Sequence, residues 1–244
     1  MQPVKLTENR NHYIDNLRSI SILLLFPVHT FMIWNNFGSG SYIWLEENKI
    51  YSTLIVLINP WFMPLLFLLA GISARLSLEK RTTKEFVKQR INKLLIPFIT
   101  GMVFLVPIQT FYARKFFYNY NGGFIENWQY FFTHFTDLSG YDGAFTPGHL
   151  WFILYLFVIS ITSLIIFRCF PYKKAVLVTG RLNIFCIIIL FVPIWIMYYI
   201  GNFGGFSIGK NLALYLAGYY IISNKNVMEK VEKNIKWITF LCIA

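Results

Sequence analysis

Residues 50–74 read IYSTLIVLINPWFMPLLFLLAGISA and contain no Asp, Glu, Lys or Arg. A helix needs about 17 to 25 mostly apolar residues to cross the hydrocarbon core of a bilayer, and this run has that length. Lys49 and Arg75 flank the run directly, where charged side chains can reach the polar headgroups. The run therefore predicts a transmembrane α-helix and decides the class of fold.

The composition of the whole chain agrees with this class. Of the 244 residues 56% are hydrophobic, 19% are aromatic and only 14% are charged, whereas a soluble domain carries about a quarter charged residues. A soluble fold could not bury so much apolar surface, but lipid can cover it. Cys169, Cys186 and Cys242 lie in or beside apolar runs, and their spacing indicates neither a metal site nor a disulfide framework.

Further apolar runs predict an all-α bundle that crosses the membrane about six times. The predicted spans are residues 17–34, 50–74, 94–113, 150–167, 182–200 and, more weakly, 207–223. A seventh run begins at Trp237 and stops at Ala244, too short to cross a bilayer. We therefore interpret residues 1–244 as a single membrane-embedded domain that is incomplete at its C-terminus.

The distribution of Lys and Arg predicts the orientation. The N-terminal segment and every second connection after it are basic, most strongly residues 75–93, while the intervening connections are close to neutral. Because basic loops stay on the cytoplasmic side, the N-terminus is predicted to be cytoplasmic and the chain to lie in a cell membrane. Topology alone then explains the net charge of +11, and no nucleic-acid partner is expected.

The longest connection, residues 114–149, is predicted to lie outside. It is rich in aromatic residues and glycine, as in the run from Trp128 to Phe132. Trp and Tyr rings suit the membrane interface, so the connection is expected to contain a helix that lies there. It is either a structural cap or part of an acceptor-binding surface.

The first span carries the ionisable residues that point to chemistry. Arg18 and His29 are eleven positions apart, so they share one helix face roughly 16 Å apart along the axis. Asp15 lies on the same face, within pairing distance of Arg18. A histidine within the membrane is costly and indicates function by default, and a neutral imidazole can accept a proton from a hydroxyl. Arg18 also fits an interfacial anchor, and His29 fits a structural hydrogen bond between helices.

Four stretches together resemble the acyltransferase-3 family of membrane acyltransferases. The first runs from Arg10 through Asp15 to Arg18 and, after ten further residues, to His29. The others are WFMPLLFLLAG at 61–71, FVKQRINKLLIP at 86–97 and GHLWFILYL at 148–156. The closest resemblance is to the branch that includes glucan-succinylating proteins. The family usually has about ten spans, and Lys93 stands where it usually has a second arginine.

The resemblance implies a bacterial inner-membrane enzyme that moves an acyl group from acyl-CoA to a hydroxyl of a carbohydrate or glycan. His29 would be the base or a relay nucleophile, Arg18 would orient the donor, and Asp15 would hold Arg18. The cytoplasmic cations Arg75, Lys88, Arg90 and Lys93 would bind the donor phosphates, unless topology alone places them there. His149 and Trp151 would act on the acceptor side. No bound cofactor is expected, and acyl-CoA is a co-substrate.

Two other functions fit the same pattern of spans. A transporter or flippase would also have proline and glycine breaks, as at Pro27, Pro60 and Pro64, although such proteins more often have inverted repeats and several intramembrane charges. A truncated, inactive paralogue could serve as a scaffold. Measurement of acyl transfer distinguishes the enzyme from the transporter and from the scaffold. Loss of transfer in a His29→Ala variant that still inserts into the membrane would support the enzyme.

Overall fold

The fold is given by a computed structural model that describes residues 12–37, 42–203 and 206–243. Arg10, which opens the first motif, and Ala244, where the last apolar run stops, lie outside the described residues. The described residues form thirteen α-helices: α1 His12–Phe31, α2 Lys49–Lys80, α3 Thr83–Arg90, α4 Ile96–Phe104, α5 Val106–Tyr118, α6 Phe124–Thr133, α7 Trp151–Cys169, α8 Tyr172–Thr179, α9 Ile184–Ile189, α10 Phe191–Met197, α11 Ile208–Ala217, α12 Lys225–Lys233 and α13 Ile235–Ile243. Two short strands, β1 (Asn202–Phe203) and β2 (Phe206–Ser207), pair antiparallel before α11.

Helix α2 lies at the centre of the bundle, between α1 and α11. A Cβ atom at Gly71 of α2 would collide with the backbone carbonyl of Tyr215, and one at Gly218 would collide with the carbonyl of Leu68. Small residues allow membrane helices to approach backbone to backbone, where dispersion contacts replace the missing hydrophobic driving force. The two glycines therefore set how closely α2 and the α11 segment pack.

The third apolar run is longer than predicted. It begins with a capping box, in which Thr82 and Glu85 each accept a hydrogen bond from the other's backbone N–H, and it continues to Tyr118. One π-helical turn, Ile91–Leu95, precedes Pro97, which has no N–H to donate to a regular α-helical ladder. This helical segment thus carries Lys84, Lys88, Arg90 and Lys93 and continues into the connection that is predicted to lie outside.

The main core lies where α2, α3, α7 and α11 meet. Phe67, Phe86 and Tyr215 are fully buried in it, together with Ile159 at 1% exposure. The surface of the bundle is apolar as well, with Leu23 and Phe26 of α1 64% and 71% exposed. Apolar side chains on both the inside and the outside are expected of helices surrounded by lipid.

The all-α membrane bundle predicted from the sequence is confirmed. Four helical segments are long and apolar enough to cross a membrane: Ile14–Trp34, Lys49–Lys80, Thr83–Tyr118 and Gly148–Cys169. They contain all residues of the first four predicted spans. The fifth predicted span, residues 182–200, contains the helical segment Ile184–Met197, which is bent by 118° from the preceding segment Tyr172–Thr179. The helix predicted in the outer connection is present as α6.

The predicted count of six spans is not confirmed. The sixth run forms α11 and a π-helical turn that ends at Ile222, and it packs in the centre of the bundle. At about 1.5 Å per residue these fifteen residues cover about 22 Å, less than the hydrocarbon core of about 30 Å. The seventh run continues as α13 within the described residues. The cytoplasmic position of the N-terminus stays a prediction.

Candidate functional site

His29 and His149 meet although 119 residues separate them in the chain. His29 lies in the last turn of α1, and His149 lies in a 3-10 turn, Gly148–Leu150, that leads into α7. Their ring centroids are 4.2 Å apart, with an angle of 54° between the ring planes. The sequence predicted separate roles for the two histidines and did not predict that they touch.

A cavity of about 610 Å³ opens beside the two histidines. Its walls come from α1, α4, α7 and α11, from Tyr42, and from the segment that precedes α7. Along α7 the cavity extends from Trp151 to Ile159, which is about 12 Å of helix. A mostly apolar concavity with a few convergent polar groups is the usual form of a small-molecule site.

Trp151, predicted on the acceptor side, lines this cavity. Its ring contacts Tyr155 at 5.5 Å and Phe67 at 6.5 Å between centroids. The aromatic rings of Tyr141 and Tyr155 also line the cavity. The cavity therefore offers flat apolar surface together with phenol groups near the histidine pair.

Tyr42 is the residue of the cavity that the sequence did not indicate. Its ring centroid lies 5.3 Å from that of His149. Burial raises the pKa of Tyr42 to about 12, so the phenol stays protonated at neutral pH. A single tyrosine in a connection carries no sequence signal of this contact.

Arg18 is held at the other end of α1. It donates a hydrogen bond to Ser73 Oγ on α2 and forms an ion pair of 3.7 Å with Asp15. The pairing of Asp15 with Arg18 that the sequence predicted is thus present. Arg18 also lies within electrostatic range of Arg90 on α3, a like charge.

The four cations predicted to bind the donor do not all share one environment. The Arg90 side chain lies over the Phe86 ring at 4.6 Å, and its Nε atom is buried with no hydrogen-bond partner in the described part of the chain. Arg75 instead stacks on Tyr172 at 3.9 Å and pairs with Glu79 at 3.5 Å. The side chains of the other two, Lys88 and Lys93, are exposed. Of these four cations, Arg90 is the one with a recorded electrostatic interaction with Arg18.

Buried hydroxyl groups lie between the cavity and Arg90. Ser160 and Ser163 of α7 and Tyr215 of α11 are all 0% exposed. The Tyr215 side chain lies close to both Ser160 and the Arg90 guanidinium. The Ser163 hydroxyl has no hydrogen-bond partner among the described residues. A buried polar group without a partner is costly and calls for an explanation.

Comparison with known proteins places the chain among acyltransferases. The family described as "Acyltransferase domain" matches residues 11–244. The glucans biosynthesis protein C of Salmonella gallinarum is 24% identical over 174 residues, which are 68% of this chain and 41% of that protein. The protein of the same name from Escherichia coli K12 is 25% identical over 177 residues, 69% of this chain and 41% of that protein.

The chain therefore spans about two fifths of the length of these relatives. No solved structure matches it. The family match covers nearly all of the chain and includes every site residue discussed above. A multi-helix membrane fold, an intramembrane histidine pair and this match lead to one conclusion: the chain belongs to the acyltransferase-3 family.

Proposed function

We propose that this protein transfers an acyl group from acyl-CoA to a hydroxyl of a cell-envelope carbohydrate, in the inner membrane of a bacterial cell. The observation that carries the proposal is the His29–His149 pair, with ring centroids 4.2 Å apart at the wall of a cavity of about 610 Å³. The family supports acyl transfer. The printed name of the relatives, glucans biosynthesis protein C, favours a glucan as the acceptor.

His29 is the proposed general base. Its unprotonated ring nitrogen takes the proton of the acceptor hydroxyl while the hydroxyl oxygen attacks the thioester carbon. The new C–O ester bond forms, the C–S bond breaks, and the electron pair leaves on the sulfur of CoA, which then takes up a proton. In a relay, the His29 nitrogen would instead hold the acyl group first and pass it to the acceptor. His149, in contact with the His29 ring, orients it and faces the acceptor.

Arg18 and Arg90 are the proposed contacts for the donor phosphates. Two guanidinium groups within electrostatic range repel each other, and an anion near both relieves that repulsion. Arginine suits phosphate because its planar N–H groups can form paired hydrogen bonds. Arg75, Lys88 and Lys93, the other predicted donor contacts, contribute long-range positive charge in this proposal.

In this proposal the two ends of the donor lie far apart. Arg18 and His29 are roughly 16 Å apart along α1, so a donor whose phosphates lie at Arg18 must extend through the bundle to reach His29. The buried hydroxyls of Ser160, Ser163 and Tyr215 lie along this route. Amide groups of the donor arm would supply the hydrogen-bond partner that the Ser163 hydroxyl lacks within the described residues.

The proposal is tested by measuring acyl incorporation in membrane vesicles supplied with labelled acyl-CoA and a glucan acceptor. His29→Ala should lower the rate by about a hundredfold or more, since general-base catalysis contributes about 10² to 10⁴, and His149→Ala should also impair it. The matched control is His134→Ala, because His134 is exposed and its ring stacks on Tyr130 at 3.8 Å, away from the cavity.

The outcomes separate the candidate functions. An inserted His29→Ala protein that transfers acyl groups at the wild-type rate contradicts the proposed base. Label bound to the protein in the absence of an acceptor, and lost in His29→Ala, would favour the relay over the base. A wild-type protein that moves a glycan across the membrane without modifying it would favour a transporter.

A further inference from the structure

A cavity of about 450 Å³ lies away from the histidine pair, between α8, α10 and α11. We call it the α8–α11 cavity. Its walls include both arms of the 118° bend between Tyr172–Thr179 and Ile184–Met197. Small side chains leave the space open, because Ala175 on α8 and Ala213 and Ala217 on α11 all line it. The two alanines of α11 are four residues apart and therefore lie on one face of that helix.

The side chains that line this cavity are apolar apart from two hydroxyl groups, and both of these are engaged elsewhere. The Tyr220 hydroxyl donates to the Phe170 carbonyl at 2.6 Å, and the Thr179 hydroxyl accepts from Asn224 Nδ2 at 3.0 Å. An apolar cavity does not hold ordered water, and an unfilled one loses packing contacts. The walls therefore suit a hydrocarbon chain.

Hydrogen bonds from the segment around α12 hold the α8 wall in place. Lys230 Nζ donates to the carbonyls of Gly180 and Leu182 at 2.9 and 2.6 Å, and Asn224 Nδ2 donates to the Val176 carbonyl at 3.1 Å. These donors reach carbonyl groups in the last turn of α8 and just beyond it, where a helix leaves its carbonyls without helical partners. The cavity is thus built without a ligand, as most ligand sites are.

Basic side chains border the cavity at the start of α8. Residues 168–181 contain four basic residues, Arg168, Lys173, Lys174 and Arg181, and no Asp or Glu. Lys174 is exposed and lies four residues before Val178, which lines the cavity and is 68% exposed. The two residues therefore share one face of α8, about one turn apart. Lys173 is exposed beside them. An anionic group bound at these lysines would bring an attached chain directly to the apolar walls.

From these observations we propose that the α8–α11 cavity binds one acyl chain of an anionic phospholipid whose phosphate lies at Lys173 and Lys174. The connection that carries these lysines is predicted to be cytoplasmic, and anionic lipids of the cytoplasmic leaflet attract basic segments beside the membrane. A helix fits this space less well, because one turn about 10 Å across and 5.4 Å long already fills about 420 Å³. The proposal does not depend on acyl transfer.

The test counts the lipids bound to the purified protein by native mass spectrometry, with added phosphatidylglycerol or phosphatidylcholine of identical chains. The wild type should bind one phosphatidylglycerol about tenfold more tightly than phosphatidylcholine. Lys173→Gln and Lys174→Gln should each weaken phosphatidylglycerol binding about fivefold and leave phosphatidylcholine binding unchanged. The matched control is Lys84→Gln, because Lys84 is also an exposed lysine in the first turn of a helix, α3, but lies outside the cavity wall.

Filling the cavity tests where the chain lies. Ala217→Leu on the α11 wall and Ala175→Leu on the α8 wall should each weaken binding of both lipids at least tenfold, and a thermal midpoint close to wild type shows which variant is folded. Equal affinity for the two lipids overturns the proposal. So does phosphatidylglycerol binding that survives the filling substitution in a folded variant, or a dimer that excludes lipid. Each of these results leaves the acyl-transfer proposal intact, since the histidine pair lines a different cavity.

Discussion

Substituting Gly148 by alanine should destabilise the protein, and the loss can be worked out from the contacts of one atom. A non-glycine residue in the left-handed region costs about 1 to 2 kcal/mol, and Gly148 has a φ of +48°. The new Cβ would approach Tyr42 Oη within 2.6 Å, so the phenol must move away and lose packing of its ring against the His149 ring. An aromatic pair is worth about 0.5 to 1.5 kcal/mol, which gives a total of about 2 to 3 kcal/mol.

The Tyr42→Phe background separates the two contributions. Without the hydroxyl oxygen, the nearest Tyr42 atom to the new Cβ is ring carbon Cζ at 3.6 Å, an ordinary contact. Gly148→Ala should therefore cost about 1 kcal/mol less in this background, because only the backbone strain remains. Thermal midpoints shift by about 2 to 4 °C per kcal/mol. The difference is therefore measurable in detergent with four purified proteins: the wild type, the two single variants and the double variant. An equal decrease in both backgrounds would refute the contact between Gly148 and Tyr42.

Further predictions concern the donor contacts, the helix packing and the response to pH. Arg90→Gln should raise the KM for acyl-CoA about 10- to 100-fold, because it removes a charge-assisted hydrogen bond to the donor. Lys88→Gln, at an exposed position, should change this KM little. Equal effects of the two substitutions in steady-state kinetics would contradict the proposed role of Arg90. Gly218→Ala should lower the thermal midpoint, because the added Cβ would collide with the Leu68 carbonyl, and an unchanged midpoint would exclude the close helix contact. Burial raises the pKa of Tyr42 from 10.0 to about 12. The stabilisation by the protonated Tyr42 phenol is therefore complete below pH 10 and is lost as the pH rises toward 12. Thermal midpoints measured between about pH 9 and 12 should consequently fall less in Tyr42→Phe than in the wild type.

The two ends of α1 carry different tasks in the proposed reaction. The Arg18 end lies within electrostatic range of Arg90 and suits the anionic part of a donor, and the His29 end opens on an aromatic cavity that suits an acceptor. A single helix therefore sets the distance over which the donor must extend, roughly 16 Å. If the arginine or the histidine stood about one helical turn further along α1, both side chains would still lie on the same face. The distance between them along the axis would nevertheless change by about 5.4 Å.

The sequence alone was sufficient to predict the class of fold. Runs of about 20 apolar residues require helices because backbone groups in lipid must pair within their own segment, so the first four spans could be located from composition. The helical spacing also placed Arg18 and His29 on one face and paired Asp15 with Arg18, since these relations depend on one helix only. The family motifs, which are local in sequence, agree with the family match over residues 11–244.

Other features depended on the tertiary structure because they join distant parts of the chain. The contact of His29 with His149, the electrostatic interaction of Arg90 with Arg18, and the position of Tyr42 each arise where separate helices or connections pack together. The fifteen helical residues of the sixth apolar run pack against α2, where Gly71 and Gly218 allow close backbone approach. The count of six spans stays a prediction. Periodicity reports which face of a helix is apolar, but only packing decides which neighbour that face meets.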